Sequence, residues 1–191
     1  MSSIVICEKP SQARNIIAAI GNNYGEVLSA QGHLLQLEEP HDVNPDWKNW
    51  GLELLMPPQG TYWYKVDRSA GKGERFDKIK AAVKGASQII IATDCDREGQ
   101  AIGEEIIRFL GFKGKVLRAM FTSEDPVTLQ KIFSQLEPNE KYKPLYDAAV
   151  ARQQVDQIYN LTLTRVATLS LKDKAAKGVI GIGRVKTPTL G

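Results

Sequence analysis

Short apolar runs alternate with longer amphipathic stretches along most of this chain. Some runs predict β-strands, because they are brief, rich in β-branched residues and bounded by charged or turn-forming residues: Ile4–Cys7, Val27–Gly32, Thr61–Val66, Ile89–Thr93 and the shorter Val116–Leu117. Other stretches predict helices, from the spacing of their apolar residues and from Pro and Gly at their ends: Ala13–Ile20, Arg75–Val83, Glu98–Leu110, Pro126–Leu136 and Pro144 to about Leu169. The order of these elements predicts an α/β fold with a mainly parallel sheet flanked by helices.

Two domains are predicted along the chain. Residues 1–143 hold all the predicted strands and are expected to form the α/β domain, whereas residues 144–191 open with one long helix. Within the first domain, residues 38–60 carry four prolines and predict a long irregular segment, a kind of loop that is more often functional than idle. Because residues 183–191 end without a polar tail, the second domain is expected to be a truncated part of a longer protein.

The composition is that of a soluble globular protein, with 42% hydrophobic and 25% charged residues among 191. No apolar run approaches the length of a membrane span, so no membrane partner is expected. The two cysteines, Cys7 and Cys95, cannot form a disulfide framework or a four-cysteine zinc site. They predict reduced thiols and a cytoplasmic location.

Charge is unevenly distributed along the chain. The formal net charge is only +3, but residues 165–191 contain six basic residues and one acid, a local excess of +5. The rest of the chain therefore carries a net charge of −2. A basic segment beside an acidic site favours a polyanionic partner such as nucleic acid, although a solvated basic tail would have the same composition.

A cluster of acids follows the predicted strand at residues 89–93. Asp94, Asp96 and Glu98 lie at positions i, i+2 and i+4, and Glu8 ends the first predicted strand. Because the carboxyl ends of parallel strands meet at one edge of a sheet, Glu8 and Asp94 are expected at the same edge. Oxygen ligands without histidine or cysteine suit a hard cation, so the cluster predicts a Mg²⁺ site for phosphate chemistry.

Each charged residue of this edge receives an expected role. Asp94 and Asp96 are predicted metal ligands, and Glu98 is a third contact or only a first-turn acid of its helix. Glu8 is a candidate general acid or base, because neighbouring carboxylates raise a carboxyl pKa. Lys9 and Arg97 are placed to offset the charge of a phosphate.

These residues resemble a TOPRIM domain, a Rossmann-like α/β domain of topoisomerases, bacterial primases and some nucleases, with its Glu after the first strand and its Asp-x-Asp pair after a later one. The stretch from Cys7 to Arg14 resembles the opening motif of topoisomerase III-like type IA enzymes. Residues 94–100 match their acidic motif, and residues 183–190 resemble the family's Gly-Arg-Val-Gln-Thr-Pro segment, with Lys186 in place of Gln. Residues 151–165 also fit the helical region that follows TOPRIM in this family.

The resemblance implies a DNA topoisomerase, an ATP-independent isomerase that cleaves and rejoins one DNA strand. It implies Mg²⁺ at Asp94, Asp96 and Glu98, and proton transfer by Glu8 with charge stabilisation by Lys9. It further implies contacts to single-stranded DNA, the remaining domains of a parent enzyme as partners, and a nucleoid-associated location. The residues implied in contacting DNA are Arg152, Asp156 and Arg184. His33 also lies in a family-like stretch and is assigned no role.

The nucleophile of the type IA reaction is missing from this sequence. Type IA enzymes form a 5′-phosphotyrosyl link through a tyrosine in a Tyr-x-Arg-Thr setting, and none of the six tyrosines here has that setting. The chain is therefore expected to be an N-terminal fragment, inactive alone. The alternatives are a stand-alone TOPRIM nuclease that uses a metal-activated water, a primase-like phosphotransfer domain, a receiver-like or phosphatase domain using Asp94, and a nucleotide-binding domain without chemistry.

Overall fold

A computed structural model describes residues 2–173 and 177–190. Its strands are Ser3–Cys7 (β1), Glu26–Ser29 (β2), Leu35–Leu37 (β3), Tyr64–Val66 (β4), Gln88–Ala92 (β5), Lys115–Arg118 (β6) and Glu137–Pro138 (β7). Its α-helices are Pro10–Ile20 (α1), Pro40–Val43 (α2), Lys72–Gly85 (α3), Arg97–Phe109 (α4), Pro126–Phe133 (α5), Lys143–Leu171 (α6) and Lys186–Leu190 (α7). Short 3-10 helices cover Pro45–Lys48, Ser69–Gly71 and Asn139–Tyr142.

The main sheet has the strand order β2-β1-β5-β6-β7. Strand β1 pairs in parallel with β2 and β5, and β5 pairs in parallel with β6, whereas β7 is antiparallel to β6. The predicted α/β fold with a mainly parallel sheet is thus confirmed. A second sheet pairs the short strands β3 and β4.

The main sheet is buried on both faces, which explains why its strands read as continuous apolar runs. Val5 and Cys7 of β1 point into a core with Ile16 of α1 and Leu129 and Phe133 of α5. Their neighbours along the strands are also buried, so helices cover the opposite face as well. This packing leaves the carboxyl edge of the sheet as the place where polar side chains collect.

The described residues form two compact units. The first comprises residues 2–36 and 65–149, and the second comprises residues 37–64, 150–173 and 177–190. The predicted boundary between residues 143 and 144 remains a prediction, and the observed grouping differs from it chiefly in assigning residues 37–64 to the second unit. Helix α6 begins in the first unit and continues through the second.

The proline-rich segment at residues 38–60 belongs to the second unit. This segment contains α2 and a 3-10 helix, and it is held by side chains of α6. Gln154 exchanges two hydrogen bonds of 2.8 Å with the backbone of Tyr62, and Thr162 accepts from the backbone N–H of Leu55 at 3.1 Å. Side chains of α6 thus satisfy the backbone of this part of the chain at Leu55 and, just beyond the segment, at Tyr62.

Candidate active site at the carboxyl edge of the sheet

Glu8 and Asp94 lie at neighbouring strand ends. Glu8 directly follows β1 and Asp94 lies two residues after β5, and the parallel pairing of Cys7 with Ala92 brings the two ends together. Both acids therefore stand at one edge of the sheet, as the strand order predicts.

Lys9 joins the two carboxyl groups. Its Nζ is 2.6 Å from Asp94 Oδ2 and 3.6 Å from Glu8 Oε1. The hydrogen bond to Asp94 raises the pKa of Lys9, so its ammonium group stays charged. The Lys9 side chain is half exposed, so it can also contact a molecule bound at this edge.

The surroundings push the pKa values of the two acids apart. Burial and the charge of Asp94 raise the pKa of Glu8, against the opposing charge of Lys9. Burial alone would raise the pKa of Asp94, but hydrogen bonds from Lys9 and Gln12 outweigh it and hold that pKa below its usual value. Glu8 is therefore the acid that retains its proton to higher pH, and Asp94 is the one that stays ionised, a division typical of acid–base sites.

Asp96 caps the helix that carries the rest of the motif. Its Oδ1 accepts a 2.7 Å hydrogen bond from the backbone N–H of Gly99, which fixes the start of α4. A Cβ atom on Gly99 would stand 2.3 Å from the carbonyl oxygen of Asp94. Only glycine therefore lets the helix pack this closely against the loop at residues 93–96, called the acidic loop below. Arg97 is the first residue of α4, and its side chain is exposed.

Glu98 is engaged away from the other acids. His33 Nε2 lies 3.0 Å from Glu98 Oε1, and His33 Nδ1 lies 2.9 Å from Glu105 Oε2. Burial lowers the pKa of His33, but the two carboxyl partners outweigh it and raise that pKa above 6.5. Since both ring nitrogens face acceptors, the pair favours the doubly protonated imidazolium.

A buried arginine lies under the acidic loop. Arg118, the last residue of β6, is 1% exposed, and its guanidinium group donates to neutral acceptors only. These acceptors are the Gln100 side chain and the backbone carbonyls of Ile91, Thr93, Asp94 and Ala119. The charge helps to lower the Asp94 pKa and ties the end of β6 to the loop after β5.

Two of these residues had a weak signal in the sequence. Gln12 follows Glu8 by one helical turn, and its buried amide contacts both Glu8 and Asp94. Arg118 directly follows the apolar pair Val116–Leu117 at the end of its strand. The sequence assigns no role to His33, because its partners Glu98 and Glu105 lie too far along the chain for spacing to reveal them.

The predicted ligands Asp94, Asp96 and Glu98 are near one another in the chain but do not all converge. Across residues 2–173 and 177–190, no group of three or more His, Cys, Asp and Glu side chains is arranged to hold a metal ion. The charges of Asp94 and Asp96 both raise the pKa of Glu8, so the three carboxylates act on one another electrostatically. Oxygen donors of this kind fit Mg²⁺.

The predicted DNA-contacting residues lie together in the second unit. Arg184 Nε is 2.7 Å from Asp156 Oδ1, and Arg152 Nε is 3.5 Å from Asp156 Oδ2. The hydrogen bond from Arg184 is the main cause that lowers the pKa of Asp156. The guanidinium groups of Arg152 and Arg184 thus share the carboxylate of Asp156, and the three side chains together carry a net charge of one positive unit at an exposed position.

Fold and site together define an α/β domain that presents acids and a lysine at the carboxyl edge of a parallel sheet. A family model described as the Toprim domain matches residues 3–123. The match covers more than half of the chain, and the chain therefore belongs to the Toprim domain family. None of the helices in the described ranges is long and apolar enough to cross a membrane.

Similar proteins extend the comparison over the whole chain. The chain is 31% identical to DNA topoisomerase 3 of Haemophilus influenzae, over 98% of this chain and 31% of that protein. It is 32% identical to DNA topoisomerase 3 of Staphylococcus epidermidis, over 100% of this chain and 27% of that protein. The resemblance to topoisomerase III-like enzymes is thereby confirmed, and the chain spans less than a third of the length of these relatives.

A solved structure shares the fold. Full-length topoisomerase I from Thermotoga maritima superposes with a TM-score of 0.66 at 24% identity, over 89% of this chain and 26% of that one. At this identity the likeness shows the fold alone, which agrees with the observed α/β architecture.

Proposed function

We propose that this chain is the acid–base and Mg²⁺-binding part of a type IA DNA topoisomerase, which changes DNA topology by cleaving and rejoining one strand. The observation that carries the proposal is the contact of Lys9 with Asp94 and Glu8, beside a Glu8 whose pKa is raised. The relatives named DNA topoisomerase 3 support the same assignment. The 5′-phosphotyrosine link would be formed by a tyrosine outside this chain.

In this proposal each side chain acts on one part of the scissile phosphodiester. Glu8 donates its proton to the 3′-oxygen that leaves when the strand is cut, and takes the proton back when the strand is rejoined. Lys9 offsets the charge that develops on the phosphate oxygens. Burial and the charge of Asp94 raise the pKa of Glu8 above its ordinary value, which favours the protonated carboxyl group that this step needs.

Asp94 and Asp96 would hold the Mg²⁺ ion, with Glu98 as a more distant contact that His33 keeps in place. The ion would supply a second positive charge to the phosphate. Asp96 can do this while capping α4, because only its Oδ1 is used by the cap. Arg97, exposed at the start of α4, would contact phosphate as well.

The second unit would bind single-stranded DNA through Arg152 and Arg184. Asp156 orients both guanidinium groups by pairing with them. A phosphate that approaches would meet positive charge that is already held in place. With DNA as its substrate, the protein would act in the cytoplasm on the nucleoid, together with the remaining domains of the enzyme.

Relaxation of negatively supercoiled plasmid by the intact protein that carries this chain tests the proposal. Glu8→Gln and Asp94→Asn should abolish Mg²⁺-dependent relaxation, because each keeps the shape of the side chain and removes its acid–base or ligand chemistry. Glu26→Gln, on the exposed start of β2, is the matched control and should relax DNA normally. Full relaxation by the Asp94→Asn protein would overturn the proposal.

A second experiment uses the 191-residue chain itself. Binding of an oligothymidylate should weaken as salt rises, because phosphate contacts release counterions. Arg184→Gln should weaken binding and reduce the salt slope by about one counterion. Nicking of plasmid by the isolated chain in Mg²⁺ would favour the stand-alone nuclease over the topoisomerase fragment.

A further inference from the structure

Gln12 is a polar side chain with no exposed surface, and it lies directly under the acidic edge. Its Oε1 accepts a 2.8 Å hydrogen bond from the backbone N–H of Glu8. Its Nε2 donates to Asp94 Oδ1 at 3.1 Å and to Glu124 Oε1 at 3.2 Å. One buried amide therefore joins the chain segments that follow β1, β5 and β6.

The orientation of this amide is fixed by its partners. A backbone N–H only donates and an ionised carboxylate only accepts, so the oxygen must face Glu8 and the nitrogen must face Asp94 and Glu124. Asn15 holds Glu124 from the other side, since its Nδ2 donates to Glu124 Oε2 at 2.6 Å. Every polar atom of Gln12 thus has a partner, as expected for a network that specifies one geometry.

We propose that Gln12 is a positioning residue for Asp94, with Glu124 and Asn15 as its support; the proposal rests on the function proposed above for Asp94. The two oxygens of Asp94 have different partners, because Oδ2 binds Lys9 and Oδ1 binds Gln12. Lys9 is flexible and half exposed, so the buried amide fixes the rotation of the carboxylate. Residues that orient a metal ligand in this way typically change metal affinity or activity about 10- to 100-fold when replaced.

A double exchange isolates the contact with Asp94. In the variant Gln12→Glu with Glu124→Gln, the net charge is unchanged and the hydrogen bond between the two side chains is kept with donor and acceptor reversed. The carboxylate introduced at position 12 still accepts from the backbone N–H of Glu8, and the amide introduced at position 124 still accepts from Asn15. The hydrogen bond from position 12 to Asp94 Oδ1 is the one that is lost. In its place, the carboxylate introduced at position 12 faces the carboxylate of Asp94.

The intact protein carrying the exchange should relax plasmid with a kcat about 10- to 100-fold lower at saturating Mg²⁺. The KM for plasmid should stay near wild type, and far-UV circular dichroism at the assay temperature should show a folded protein, although the facing carboxylates at positions 12 and 94 lower its melting temperature. Gln130→Ala is the control, because Gln130 also fixes α1, through the Ala19 carbonyl at 3.0 Å, without contacting the acids. It should leave kcat unchanged.

A readout without activity comes from the side-chain amide of Gln12 in the 191-residue chain. Its protons should exchange with water more slowly than those of Gln130, and its NMR resonance should shift in Asp94→Ala. An amide resonance that does not respond to Asp94→Ala would contradict the proposal.

The outcomes separate this proposal from the one on which it rests. If the double exchange relaxes DNA like wild type while Asp94→Asn is inactive, the role of Gln12 is wrong and the proposed function stands. If Asp94→Asn relaxes DNA normally, both are wrong. If the double exchange does not fold, the exposed Asn15→Ala decides: a several-fold lower kcat supports the proposal, and an unchanged kcat overturns it.

Discussion

Replacing Arg118 by methionine would test how strongly one buried guanidinium group holds the carboxyl edge together. Methionine fills a similar length without charge or hydrogen bonds. Burial lowers the pKa of Arg118 to about 10, so the group is charged at neutral pH. Among the described residues it forms no ion pair with a carboxylate, and its stabilising effect must come from its hydrogen bonds to neutral acceptors.

The size of the effect follows from the acceptors that Arg118 leaves behind. All five lose Arg118, but the Ile91 carbonyl keeps a 2.9 Å hydrogen bond from the backbone N–H of Ala119, so four are left without a hydrogen bond among the described residues. A buried acceptor left unsatisfied costs about 1 kcal/mol or more, which gives roughly 4 kcal/mol. Removing a buried charge recovers part of this cost, so a net loss of about 2–3 kcal/mol in the free energy of unfolding is expected.

Urea unfolding followed by far-UV circular dichroism is the suitable assay. Tryptophan fluorescence would report on the wrong unit, because all three tryptophans lie at residues 47–63 of the second unit. Arg14→Met, at an exposed position of α1, should change stability by less than about 0.5 kcal/mol. If Arg118→Met were as stable as that control, the argument from unsatisfied acceptors would be refuted.

Three further predictions concern the same edge. Gly99→Ala should cost about 2 kcal/mol or more of stability, because its Cβ would overlap backbone atoms that cannot move away. The contribution of His33 to the free energy of unfolding should be complete below pH 6.5 and should decline as the pH rises through its raised pKa. The reason is that the imidazolium then loses a proton that binds Glu105 or Glu98. Urea unfolding at a series of pH values measures this dependence. Lys9→Met should raise the pKa of Glu8 further in an NMR titration, because the ammonium charge now lowers it.

Each of these predictions has a control or a contradicting result. Gly85→Ala, where a Cβ would meet no atom within 4 Å, should not destabilise the chain. The pH dependence should flatten in His33→Ala, and a slope identical to wild type would show that another group titrates. For Lys9, a Glu8 pKa that falls in the methionine variant would reverse the assigned electrostatics.

Local sequence patterns were sufficient to predict the sheet and the place of its acids. Strands β1 and β5 are short apolar runs that end one residue before Glu8 and two residues before Asp94, and the parallel order follows from the helices between them. The long helix α6 was predicted within about two residues at each end. The sequence patterns do not predict β3 and β7, because β3 has only three residues and β7 has two and contains Pro138.

The contacts that fix the site could not be predicted, because they join residues far apart in the chain. Glu98 was predicted as a metal contact from its spacing to Asp94, yet its nearest partner is His33, 65 positions away. Glu124 lies 112 positions from Gln12 and has no motif of its own. Sequence spacing indicates which residues share a helix or strand end, but side-chain pairs across elements follow from packing.

The two-part construction of the second unit has a consequence for synthesis on the ribosome. Residues 37–64 are made before residues 65–149, and only then does the part of α6 appear that binds them. At about 5–20 residues per second this interval is roughly 5–20 s. During that time the side chains of Leu55 and Tyr62, buried in the finished protein, remain on a nascent segment without their partners Thr162 and Gln154. The segment from residue 37 to residue 64 thus stays without these partners on the nascent chain until α6 has been made.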